Sequence, residues 1–185
     1  SKVADYYGKS KAEFGNVEDW NAHHNIRALL ETGDDPLEVV TSMAHRLGIR
    51  LVASMRMNDT DQGRVVGEEW PLLPLERPIS SSMRPGFLLE HLDWRLAHAP
   101  EPFNSGLDYA VEEVRQHRFG ILREMAEDYD TDGLELDFNR SEHVFQPDEA
   151  RDNAPLMTSF VRRVRHLLDS LGQKRRLILG VRCPT

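Results

Sequence analysis

The segment Gly133-Leu-Glu-Leu-Asp-Phe-Asn139 constrains the fold more than any other stretch of the chain. Successive side chains of a β-strand point to opposite faces. Leu134, Leu136 and Phe138 therefore share one face, and Glu135, Asp137 and Asn139 share the other. The apolar face has to pack on helices, which leaves the acidic face pointing into the middle of the sheet system. Two carboxylates on one buried strand face cost several kcal/mol unless they are paired or hydrated. Glu135 and Asp137 stand roughly 6.5–7 Å apart along such a strand.

Two further segments split in the same way. In the strand expected over 49–57, Leu51, Ala53, Met55 and Met57 oppose Ser54, Arg56 and Asn58; in the last strand, Leu177, Leu179 and Val181 oppose Ile178, Gly180 and Arg182. Each polar face becomes more polar toward the strand's C-terminal end. The lone Cys183 alternates away from Arg182 and is expected in the core.

Helices separate these strands. Asp35 caps a helix that has Pro36 in its first turn and Glu38 completing a capping box, and Gly48 ends it. Leu37, Val40, Ala44 and Leu47 recur along it at helical spacing. A second helix is expected over 107–128, with Val111, Val114, Ile121, Leu122 and Met125 as its apolar stripe. A third is expected over 155–171, capped by Asn153, with Leu156, Phe160, Val164, Leu167 and Leu171 on one face. Strands joined by helices imply parallel pairing with right-handed crossovers.

Inward polar residues at the C-terminal ends of parallel strands are the pattern of a (β/α)8 TIM barrel. An open doubly wound sheet, covered by helices on both faces, would show a weaker split. The expected fold is therefore α/β, a single barrel domain over 1–185. With three clear strands the chain would hold only part of it, about half the strands, cut at both ends. Residues 58–103 are rich in proline, and a connection of that length is functional or disordered. Trp70, Phe87, Leu88, Leu89 and Trp94 argue that it packs down, as a loop on the substrate side.

Two carboxyl groups beside an arginine are suited to acid/base chemistry, because a neighbouring carboxylate raises a carboxyl pKa while a guanidinium holds its partner ionised. Asp137, as the acid/base group, and Glu135, as its electrostatic partner, are the catalytic candidates. Arg56, Asn58, Asp59, Asn139, Arg140, His143, Arg182 and Trp94 are the candidates for substrate contact. An ion network in which Arg56 and Arg182 neutralise Glu135, the deeper acid, and Asp137, nearer the mouth, accounts for the same residues structurally. The two arginines also suit an anionic sugar such as a uronate or sulfated sugar, through bidentate bonds. Glu135 and Asp137 would serve as oxygen ligands in a metal-dependent enzyme, but an adjacent arginine competes for those oxygens. His23 and His24 are adjacent and so point apart on a helix. No metal or cofactor is expected.

Thr131-Asp-Gly-Leu-Glu-Leu-Asp-Phe-Asn-Arg140 resembles the strand signature of bacterial glycosyl hydrolase family 10-like proteins, together with Leu51 to Asp59, Leu107 to Arg115 and Gly180 to Pro184. That resemblance implies a TIM barrel, a bacterial source and a protein acting on O-glycosidic bonds of an oligo- or polysaccharide, with strands before Ser1 and after Thr185 lacking. There is a looser similarity to the chitinase strand, Asp-x-x-Asp-x-Asp-x-Glu, at Asp132, Glu135, Asp137 and Asn139. The glutamate that donates the proton in chitinases is Asn139 here, which argues against that chemistry and leaves a non-catalytic carbohydrate-binding protein as the alternative.

The remaining properties bound the partners. The net charge of −8 disfavours a nucleic-acid partner, and no apolar run reaches the length of a membrane span. One cysteine allows no intrachain disulfide. The chain begins at Ser1 without methionine, so secreted, periplasmic and cytoplasmic locations all remain open.

Overall fold

A computed structural model of the chain describes residues 17–58, 91–100, 103–139, 141–172 and 176–184. In chain order these form helix α1 (Val17–Glu31), helix α2 (Pro36–Arg46), strand β1 (Val52–Arg56), two 3-10 turns (Leu92–Trp94 and Phe103–Ser105), helix α3 (Glu112–Glu127), strand β2 (Gly133–Asp137), helix α4 (Ala150–Leu171) and strand β3 (Ile178–Arg182). The strands form one parallel sheet in the order β1-β2-β3.

The alternation seen in the sequence sets the layers. Ala53, Met55, Leu134, Leu136 and Phe138 are buried on the helix side, against Val114, Phe119 and Leu122 of α3 and Phe160, Val164 and Leu168 of α4. Full burial of each such side chain stabilises by about 1.5–3 kcal/mol. Phe160 meets Tyr109 and Phe119 edge-on, at 6.0 and 6.4 Å between ring centroids. Both crossover helices lie on this one face, as one crossover hand requires when strand order runs on without reversal. At Gly133 β3 leaves no room for a side chain: a Cβ there would lie 2.1 Å from the Ile178 carbonyl oxygen.

The barrel expected from the sequence is not what the described residues form. They make an open three-stranded sheet whose second face carries Ser54, Arg56 and Arg182 exposed and Glu135 and Asp137 half-buried. The misreading has a physical cause. A sheet covered by helices on one side and wet on the other alternates in the same way as a barrel wall with a polar lumen.

Several boundaries also move. The Asp35 cap holds, with its carboxylate accepting from the Leu37 N–H at 2.9 Å. The α2 stripe, however, divides: Leu37 and Ala44 turn inward beside the buried Thr41, while Val40 and Leu47 are exposed. Helix α3 starts at Glu112 rather than near 107, because the Leu107 N–H and carbonyl are both taken by the Asn58 amide. Helix α4 begins at Ala150 and runs through Pro155, so Asn153 lies inside it. The proline lies in the second turn, so the helix forgoes the bond its N–H would have made to the Arg151 carbonyl. Cys183 is exposed, since β3 is the sheet's edge. Helix α1, whose sequence is too polar to show a clear apolar stripe, was not foreseen.

Candidate functional site

The strand register builds the site. Ser54 pairs with Glu135 and Glu135 with Gly180; two residues on, Arg56 pairs with Asp137 and Asp137 with Arg182. Two polar rows thus cross the open face at the C-terminal ends of parallel strands, where ligands of open α/β sheets bind.

Glu135 and Arg182 anchor the cluster. The Arg182 guanidinium forms an ion pair with Glu135, Nη2 to Oε1 at 2.8 Å, and its Nη1 stands 3.8 Å from Asp137 Oδ2. Ser54 Oγ donates to the same Glu135 Oε1 at 2.9 Å. The side chain lies over Gly180, where an added Cβ would make ordinary contact 3.5 Å from Glu135 Cγ. Glu135 Oε1 is therefore engaged by the Ser54 hydroxyl and by the Arg182 ion pair, and Oε2 accepts no hydrogen bond among the described residues. Asp137 Oδ1 accepts from the Asn139 N–H at 2.9 Å, which closes the turn leaving β2. The sequence ranked Glu135 as the deeper acid. In the fold the Glu135 side chain is 24% exposed and that of Asp137 13%, because the face is open and Asp137 is tucked into its own turn.

The other candidates divide. Asn58 is 1% exposed, with its amide consumed: Nδ2 donates to the carbonyls of Leu107 (2.9 Å) and His143 (2.8 Å), and Oδ1 accepts from the Leu107 N–H (2.8 Å). It is a tie between two loops rather than a ligand contact. Gly106 is pressed against it, 2.7 Å from Nδ2 to a hypothetical Cβ. His143 stacks on Phe103 at 4.4 Å, and its buried Nδ1 has no hydrogen-bond partner among the described residues. Trp94 packs against the core and stacks on His91 at 3.6 Å. Asn139 serves the site through its backbone, and Arg56 lies in the same row as Asp137. Asp59, Arg140 and most of the 58–103 loop lie outside the described residues.

Asp132, the first acid of the chitinase-like pattern, is at the opposite end of β2. It is buried and accepts from the Leu51 N–H at 2.8 Å, with His45 Nε2 at 2.9 Å. Sequence reasoning placed Ser54 on the polar face but missed it as a site residue. The missing information was register, which decides that Ser54 rather than Arg56 stands beside Glu135. Among the described residues no three His, Cys, Asp or Glu side chains form a group able to hold a metal ion, and no helix is long and apolar enough to cross a membrane.

No known protein family matches the chain, and no curated protein matches it either.

Proposed function

We propose that the C-terminal edge of the sheet is a carbohydrate site that acts on O-glycosidic bonds of an oligo- or polysaccharide, as the similarity to glycosyl hydrolase family 10-like proteins implies. The observation that carries this is the pair of carboxylates on an accessible strand face, Glu135 and Asp137, held by one guanidinium from Arg182. Two carboxyl groups beside one bond are what glycoside cleavage requires.

The hydrogen bonds favour a division of roles between them. Glu135 has an oxygen, Oε2, that is not spent within the cluster, so it is the group able to exchange a proton with a ligand oxygen. Asp137 has one oxygen fixed to the Asn139 N–H and serves as the neighbouring charge. That order is the reverse of the one taken from the sequence alone. Arg182 and Ser54 orient Glu135, while Arg56, in the row of Asp137, is the candidate contact for sugar hydroxyls or for an acidic sugar.

A second reading, binding without cleavage, is favoured by one feature. Arg182 engages both carboxylates as hydrogen-bond or ion-pair acceptors, and acceptors are what sugar hydroxyls need.

Reducing-end release from neutral and uronate-containing oligosaccharides separates the two readings. Cleavage by the native chain, reduced about 100-fold or more in Glu135→Gln, supports the hydrolase. Calorimetric binding without release, weakened in Arg182→Met, supports the binding protein. Neither binding nor release across the panel refutes the carbohydrate assignment.

A further inference from the structure

A second polar cluster sits at the other end of the sheet, where β2 begins. The His45 ring in the last turn of α2 lies between two carboxylates of the segment leading into β2: Nε2 is 2.9 Å from Asp132 Oδ2, and Nδ1 is 3.3 Å from Asp130 Oδ2. The Asp132 oxygen also accepts from the Leu51 N–H just ahead of β1. A neutral imidazole has one donor nitrogen and one acceptor nitrogen, and only the imidazolium donates from both. Ionised carboxylates only accept. The contact at Nε2 is a hydrogen bond and that at Nδ1 an ion-pair approach, and only the protonated ring attracts a carboxylate at both nitrogens.

The attachment of α2 makes this cluster consequential. At the helix's other end the Tyr129 hydroxyl donates to Asp35 Oδ2 at 2.9 Å. Between these ties Leu37 packs against the core and Thr41 is buried, its hydroxyl returned to the Leu37 carbonyl. The outward face carries Val39, Val40, Met43 and Leu47 at 44–66% exposure, so it contributes no burial that would hold the helix down. An amphipathic helix is ordinarily held by its apolar stripe. This one turns Thr41 and His45 toward the body instead.

We propose that His45 is a protonation-dependent clamp that fastens α2 to the base of the sheet. With the ring protonated, it bridges Asp130 and Asp132 and closes α2 over the start of β1. On loss of the proton, one ring nitrogen presents a lone pair to a carboxylate oxygen, that contact becomes repulsive, and α2 opens locally while the sheet and its C-terminal site remain folded. The charged groups that touch the ring are Asp130, 74% exposed, and Asp132, 10% exposed.

The test is amide hydrogen exchange on the full chain at about pH 5.5 and about pH 8.5, expressed as protection factors corrected for intrinsic exchange. Protection over α2 is expected to fall about twofold to fivefold at the higher pH, as loss of an exposed ion pair gives, while α4 stays constant as the internal reference. In His45→Gln the pH dependence over α2 should vanish. In Asp130→Asn, a change at an exposed position that leaves the core intact, it should shrink. Constant α2 protection in the native chain, a pH dependence that survives in His45→Gln, or a parallel loss over α2 and α4 would each overturn the proposal.

Discussion

The Tyr109 hydroxyl donates to the carbonyl of Met57, so the segment leading into helix α3 is bonded to the chain just as it leaves β1. Both side chains are fully buried. The Tyr109 carbonyl is taken in turn by Arg115, which also binds the Ala110 carbonyl at 2.9 Å. Tyr109→Phe leaves the Met57 carbonyl without this donor in the core. A loss of about 1–3 kcal/mol in urea denaturation is expected; a change below the resolution of the measurement would show that the bond carries no net stability.

Burial pushes the Tyr109 phenol up to about 12 against a partial downward pull from Arg118, while the unfolded side chain titrates near 10. The folded state therefore holds its proton more tightly than the unfolded state. The stabilisation is complete below pH 10 and declines as pH rises from 10 toward 12, reaching a loss of about 3 kcal/mol. Denaturant midpoints measured across that interval should fall in the native chain and fall less in Tyr109→Phe. An equal fall in both would assign alkaline unfolding to other groups.

Asn58 stood in the sequence among the ligand contacts, and its three hydrogen bonds give it a different part. Asn58→Ala strands three buried or half-buried backbone groups, and a cost of about 3 kcal/mol or more is expected in thermal or chemical unfolding. Gly106→Ala should destabilise through the same contact, because its methyl would meet the Asn58 amide at 2.7 Å. If Asn58→Ala weakened ligand binding with its stability unchanged, the residue would be a ligand contact after all.

These cases show which parts of the molecule local sequence carries. Alternation at Leu134, Glu135, Leu136 and Asp137 specified a strand with unlike faces, and the Asp35–Pro36 pair specified a helix start; both are properties of neighbouring residues. What lay on the far side of the polar face is a tertiary property. One-sided cover and barrel closure produce the same alternation, so the fold class did not follow. The site was legible to the same depth: Glu135, Asp137 and Arg182 meet because their faces were assigned correctly. The part of Ser54 depended on register between strands about 80 residues apart in the chain. The inward turn of His45 depended on Asp130 and Asp132, equally remote, and no helical periodicity could have indicated it.

Gly133 is required by contact and by conformation alike, since its φ of +154° is one that side chains rarely adopt. A methyl at this position would lie 2.1 Å from the Ile178 carbonyl oxygen and 2.6 Å from the Ile178 nitrogen. Both are backbone atoms that cannot swing aside. Asp132 O accepts from the Ile178 N–H at 2.9 Å at the same point, so separating the strands also breaks the ladder. Gly133→Ala is expected to lower stability by several kcal/mol, and exchange protection should be lost first over 176–182. Retention of native protection in β3 would mean that the strands can separate locally at little cost.

Arg182 should behave in the opposite way, mattering to the site and little to the fold. Its side chain is 54% exposed, so solvent screens its attraction to Glu135 and Asp137. A double-mutant cycle of Arg182→Met with Glu135→Gln is expected to give a coupling below about 1 kcal/mol. That coupling should shrink further as salt is raised toward 1 M, where charges are screened beyond about 3 Å. Removing Arg182 alone leaves two carboxylates on one face without the guanidinium that joins them. The single variant should therefore change sugar affinity more than unfolding midpoint, and thermal shift and calorimetry on the same preparations read both quantities. A coupling of several kcal/mol that is insensitive to salt would indicate that the cluster is a structural ion network, with Glu135 and Asp137 serving the sheet rather than a ligand.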